Sequence, residues 1–218
     1  KGRYPKAKKT QAHCYHYGWI RTENQMNLKS KKVQKYWSRE PVSIDYSQID
    51  PSIISFNKAI ELKPDYDEAY FNLGVAFHRT GQLGEAINCY ERAISIKHAY
   101  PTAHNNLGLI ALSQGQLDNA LKSFEWAVAY GPEYAEAHNS LGAALQELKQ
   151  FEKAKVSFKK AVALNPQYAQ GLHNLAILCE IINLPDEASE YYEKALAVEP
   201  NYAEAYRNQS RTKKYKKN

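Results

Sequence analysis

The amino-acid sequence predicts an all-α chain in which helix pairs stack into a solenoid. Three observations carry that prediction. Tyr66, Tyr100, Tyr134, Tyr168 and Tyr202 stand 34 residues apart without a break. Each 34-residue interval holds two stretches with apolar residues at helical spacing. Gly and Pro fall at nearly constant phase between those stretches, where a helix has to stop. A repeat of this length is one supersecondary unit that buries its apolar face only against its neighbours.

In chain order, a half repeat comes first, at residues 50–66. Phe56, Ala59 and Pro64 there have the phase of a second helix, expected at about 50–63. Its first-helix counterpart should fall in 33–49, but Arg39, Glu40 and Pro41 occupy that phase, so that helix is expected to be missing. Full repeats follow at 67–100, 101–134, 135–168 and 169–202. In the first, Tyr70, Leu73, Gly74 and Phe77 share one helix face, and Gly81 suits the left-handed residue that ends a helix. Ala86, Tyr90, Ala93 and Ile94 form the stripe of the second helix. Small residues at Gly74, Gly108, Gly142 and Ala176 face an aromatic column of Tyr90, Phe124, Phe158 and Tyr192. Lys149 and Asn183 stand where Gly81 and Gly115 stand in the earlier repeats, and Pro185 opens a helix at its tolerated first turn. Residues 203–218 begin a fifth first helix with Gln209 and Ser210 in place of Leu and Gly, which predicts a polar capping helix.

This aromatic-x-x-Leu-Gly-x-x-aromatic … Ala-x-x-x-aromatic-x-x-Ala … Pro pattern resembles the tetratricopeptide repeat (TPR) over roughly residues 50–218. The resemblance implies a right-handed superhelix of helix-turn-helix units whose first helices line a concave, peptide-binding side. The sixth position of each block reads Asn72, Asn106, Ser140, Asn174 and Asn208. An Asn side chain offers both an acceptor and two donors, which suits it to clamp the backbone of an extended peptide. A similar asparagine ladder lines the TPR superhelix of O-linked N-acetylglucosamine transferases. Phe71, Asn105, Asn139 and His173 complete the candidate peptide-binding set, with Glu68, Glu136 and Glu204 near one edge. TPR co-chaperones that grip acidic chaperone tails use a Lys/Arg/Asn clamp. Its basic members are not found at the matching positions, so that ligand is not expected.

Charge is segregated along the chain. The net +6 combines +9 over residues 1–40 and +5 over 203–218 with −8 over the remainder. Basic ends flanking an acidic middle do not describe a nucleic-acid binder. No run approaches the ~20 apolar residues of a membrane span. The opening KGRYPKAKK has neither Met nor an apolar signal core, so the sequence reads as a piece of a longer protein without a signal peptide. Cys14, Cys89 and Cys179 are far apart and form no metal-binding pair, which suggests a reducing, cytoplasmic setting with Cys89 and Cys179 as small core fillers. The histidines His104, His138 and His173 lie about a repeat apart and are not expected to hold a metal. No nucleophile–base pair or phosphate-cradling loop falls within 50–218.

Residues 1–49 form a basic segment outside the repeat. "QAHCYHYGWI" predicts a strand ending at Gly18, and Thr22 with Gln25 fits the capping box of a helix near 23–37. The string HYGWIRTENQMNLKSKKVQKYW, followed by IDYSQIDPSI, resembles the C-terminal end of family-2-type (GT-A) glycosyltransferase domains over about residues 10–53. That resemblance implies that His16 would be a metal ligand in an intact transferase. No nucleotide-binding region or Asp-x-Asp precedes it, so this chain is expected to be catalytically inert and to need no cofactor. A divalent metal and a nucleotide sugar would belong to a parent enzyme only. The sequence therefore points to a scaffold that binds a protein or extended peptide, recruiting acceptors to an attached glycosyltransferase. Two alternatives stand beside it: a transferase fragment contributing His16, and an oligomer that self-associates through its terminal half repeats.

Overall fold

The structure is a computed structural model and describes residues 50–215. The expected strand ending at Gly18, the helix near 23–37 and His16 lie outside the described residues. Ten helices and no strand are present among the described residues: α1 Pro51–Leu62, α2 Asp67–Arg79, α3 Leu83–Ile96, α4 Pro101–Ser113, α5 Leu117–Tyr130, α6 Ala135–Glu147, α7 Phe151–Leu164, α8 Ala169–Ile181, α9 Pro185–Val198 and α10 Ala203–Tyr215. Helices α2 to α9 pack as four consecutive pairs, and each pair rests on the first helix of the next.

Each pair is joined by the same turn. The residue after the C-cap is left-handed in all four first helices: Gly81 at φ 77°, Gly115 at 71°, Lys149 at 57° and Asn183 at 60°. The two backbone bonds of a Schellman motif close over it. In α2, Gln82 N–H donates to the Phe77 carbonyl at 2.9 Å and Gly81 N–H to the His78 carbonyl at 3.0 Å. Leu184 to Cys179 and Asn183 to Glu180 repeat them at the end of α8. The turn is thus kept where Lys149 and Asn183 replace glycine, at the steric cost that a Cβ brings to this conformation.

The core is set by small residues meeting rings. Tyr90, Phe124, Phe158 and Tyr192 are fully buried or nearly so, and alanines of the second helices close around them. A Cβ on Gly74 would lie 2.7 Å from Tyr90 Cε1, one on Gly108 2.5 Å from Phe124 Cε1, and one on Gly142 2.7 Å from Phe158 Cδ1. All three distances are shorter than real Cβ contacts allow, so glycine lets the first helix reach the ring. Ala176 takes this position beside Tyr192 in the fourth full repeat. Cys89 and Cys179 are buried and free of disulfides. Burial pushes the Cys89 thiol up to about 12 and that of Cys179 to about 11, so both stay protonated as apolar fillers.

Helix α10 packs on α9 and α8 with polar contacts. Gln209 and Thr212 are buried against its neighbours, and two carboxylates hold them. Glu180 accepts from the Tyr192 hydroxyl at 3.2 Å, from Arg211 at 2.9 Å and from the Thr212 hydroxyl. Glu193 accepts from Gln209 at 3.3 Å and pairs with Lys213 at 3.2 Å. The exposed side of α10 carries Glu204, Arg207, Arg211 and Lys213 together with Tyr206.

The Gly108 contact yields a stability test. Alanine gains about 1 kcal/mol of helix propensity over glycine, whereas overpacking a buried ring costs about 1–3 kcal/mol. For Gly108→Val the β-branch reduces the first term and enlarges the second. Urea unfolding should show a net loss of about 2 kcal/mol; a stability equal to that of the parent chain would contradict the close-approach account.

Candidate functional site

From α4 onward, first helices touch first helices. Helix α4 packs on α6, α6 on α8 and α8 on α10, whereas successive second helices make no contact of that extent. The first helices are therefore the inside of the curve and the second helices the outside.

Residues three, four and seven apart share a helix face. On the inner face, Asn72 is exposed and lies beside Val75, which is 40% exposed. Leu109 follows Asn106 in the same register at 38% exposure, whereas Ala143 and Ile177 at that position in the next two repeats are half-buried against the core. These aliphatic residues were not among the sequence candidates. Their signal in the sequence is one repeat position that reads Val75, Leu109, Ala143 and Ile177, apolar in all four repeats although the first two side chains face solvent.

The predicted asparagines divide into two roles. Asn72 is open to solvent. The others connect one repeat to the next. Asn174 Nδ2–H donates to Asn139 Oδ1 at 3.0 Å, and Asn208 Nδ2–H to His173 Nε2 at 3.2 Å. A sixth-position side chain thus bonds the fifth-position side chain of the preceding repeat. Asn106 meets Phe71 at that place, which has no acceptor, and donates instead to the Tyr90 hydroxyl at 3.2 Å. Phe71 spends its ring on Tyr100, with centroids 5.0 Å apart. Asn105, Asn139, Ser140 and His173 are buried in this seam and do not present themselves to a ligand.

One seam is incomplete. Ser140 is too short to reach Asn105, and its hydroxyl donates to the Glu136 carbonyl at 2.9 Å. Asn105 Oδ1 is the one buried side-chain nitrogen or oxygen among the described residues that lacks a hydrogen-bond partner. Sequence periodicity placed these residues in one column but could not show that the column pairs across repeats.

The histidines are also spent locally. His104 Nε2–H donates to the His98 carbonyl at 3.2 Å, and His138 Nε2–H to that of Pro132 at 3.0 Å. His173 sits one helical position further on. Its Nε2 accepts from Asn208, and its Nδ1–H donates to the Tyr202 hydroxyl oxygen at 3.2 Å. Burial pulls the His173 pKa down, against the opposing fields of Glu204 and Glu180, and the neutral ring fits this arrangement. Among the described residues no three His, Cys, Asp or Glu side chains gather as metal ligands.

The second helices carry other exposed apolar groups. Trp126 and Tyr130 of α5 stack at 5.5 Å, with His104 against Tyr130 at 5.5 Å. Val156 of α7 is 70% exposed at the mouth of an open groove of about 420 Å³ that Leu121, Leu141 and Leu145 line. No helix among the described residues is long and apolar enough to cross a membrane.

Comparison with known proteins places this geometry. Family models described as TPR repeat match residues 47–81, 77–112 and 108–149, and those described as tetratricopeptide repeat match 135–168 and 169–202. Among solved structures, MamA is 21% identical with a TM-score of 0.62, over 76% of this chain and 99% of that one. YrrB, described as a TPR protein with an unusual peptide-binding site, is 20% identical with a TM-score of 0.61, over 75% and 84%. The first TPR of Spaghetti (RPAP3), bound to the HSP90 peptide SRMEEVD, is 23% identical with a TM-score of 0.53, over 54% and 94%. At these identities the likeness shows the fold. Comparison with curated proteins yields no match.

The unpaired Asn105 carbonyl predicts a stabilising substitution. Ser140→Asn restores the pairing seen between Asn174 and Asn139 and should raise unfolding free energy by about 1 kcal/mol. The gain should vanish when Asn105 is first replaced by Leu. Urea midpoints of the four proteins measure both effects, and a gain that survives in the Asn105→Leu background would refute the pairing.

Proposed function

Because the chain belongs to the tetratricopeptide repeat family, we propose that its first-helix face is an interaction surface for an extended segment of a partner protein. The observation that carries this reading is the exposed row of Val75 and Leu109 beside Asn72 and Asn106, at one repeat's spacing on the inside of the curve. Aliphatic side chains supply area to be covered, and the neighbouring amides supply backbone hydrogen bonds without dictating sequence. Asn72 is free to clamp in this way. Asn106 and Asn174 would do so with the donor or acceptor capacity that their seam bonds leave over. That YrrB and the RPAP3 repeat carry peptide ligands or sites supports the use of this fold for such a purpose.

The resemblance of residues 10–53 to a glycosyltransferase terminus supports a narrower version, in which the partner is an acceptor brought to an attached transferase. In a protein carrying both regions, loss of residues 50–218 would then lower transfer to protein acceptors but leave sugar-nucleotide hydrolysis unchanged.

A displayed-peptide library selected against the full chain tests the broader reading. Selected peptides should lose at least about tenfold in affinity with Val75→Asp and Leu109→Asp, since each change puts a charge into the contact. Both positions are solvent-facing, so thermal stability should hold to within about 0.5 kcal/mol. Peptides that bind the double variant as well as the parent chain would overturn the assignment of this face.

A further inference from the structure

The five tyrosines that set the 34-residue period stand immediately before the first residues of α2, α4, α6, α8 and α10. All are half-buried, so part of each side chain reaches solvent. At the first two the chain itself covers the ring with a cation. Lys63 Nζ sits 5.0 Å over the Tyr66 ring and Lys97 Nζ 5.0 Å over that of Tyr100, each lysine three residues before its tyrosine. A carboxylate accompanies the first of these, with the Tyr66 hydroxyl 3.4 Å from Glu68.

At the last three the lysine is gone and its place is not. Gly131, Asn165 and Glu199 stand three residues before Tyr134, Tyr168 and Tyr202. The turn is unchanged, because each tyrosine N–H donates to the carbonyl of that residue at 3.0–3.1 Å, as Tyr66 N–H does to Lys63 at 3.2 Å. Glycine is forced at the first, where a Cβ would lie 2.8 Å from Pro101 Cβ. Glu136 and Glu204 then follow Tyr134 and Tyr202 by two residues, as Glu68 follows Tyr66.

We propose that Tyr134, Tyr168 and Tyr202, with Glu136 and Glu204, form a rail that takes the lysine side chains of a basic partner segment, in the manner of Lys63 and Lys97. Each ring presents its negative face to an ammonium group, and the carboxylates add charge that the chain has not neutralised there. Burial, with the field of Glu136 added, pushes the Tyr168 phenol up to about 12, so the ring stays neutral beside that carboxylate. The −8 balance of the acidic middle of the chain favours the same partner. This inference rests on the reading of the array as a binder of extended segments, and it names the chemistry of the segment.

The test fills the two open slots that tolerate a side chain. Asn165→Lys with Glu199→Lys gives Tyr168 and Tyr202 internal cations. Full-length parent chain should bind a fluorescent oligolysine peptide, and the double variant should bind it about tenfold more weakly. Asn88→Lys with Glu91→Lys makes the same charge change on exposed positions of α3 and should alter affinity less than about twofold. The Nε-acetylated peptide should not bind. Equal binding by the parent and the rail variant, equal losses in the two variants, or equal binding of the acetylated peptide would each overturn the rail. Failure of oligolysine to bind a chain that still captures peptides through Val75 and Leu109 would overturn it too, leaving the broader reading intact.

Discussion

The contact between a side-chain-free backbone and a buried ring governs this molecule. Gly74, Gly108 and Gly142 let the first helix of each pair approach until only the aromatic of the second helix lies between them. That distance fixes the angle within a pair. Repeated every 34 residues, it fixes how pairs stack and which helices fall inside the curve. Hydrophobic burial supplies the driving force, but the glycines decide the geometry into which it acts.

Polar groups then divide according to that geometry. Those between repeats are consumed by the stack, as Asn139 and Asn174 bond each other and His173 bonds both Tyr202 and Asn208. Asn72, on the inside of the curve, stays open to solvent with Val75 beside it. Glu180 and Glu193 do at the C-terminal end what apolar packing does elsewhere, holding a helix whose outer side water can tolerate. The acidic residues along the tyrosine row also sit in the first turns of helices, where the macrodipole favours them. Function and stability therefore draw on the same carboxylates without conflict.

The repeat phase, the paired helices and the polar final helix were legible because they depend on the spacing of small, aromatic and turn-forming residues within one repeat. Even the substituted turns were readable, since Lys149 and Asn183 keep the phase of Gly81 and the structure gives them the same left-handed backbone. The site was less legible for a physical reason. A column of asparagines at one position has the same appearance whether each amide faces solvent or the previous repeat. Which of these holds depends on the fifth-position residue one repeat earlier, Phe71 for Asn106 but Asn139 for Asn174. Val75 and Leu109 do not stand out in the sequence, because single exposed Val or Leu residues are ordinary on protein surfaces.

The central claim is that recognition occurs on the first-helix side of the curve. Backbone amide chemical-shift mapping of the full chain with a library-selected peptide tests it most directly. The account predicts that perturbed amides cluster on α2, α4, α6 and α8, around Asn72, Val75, Asn106 and Leu109. Perturbations centred on α5 and α7, around Trp126 and Val156, would place recognition on the outer helices and contradict it.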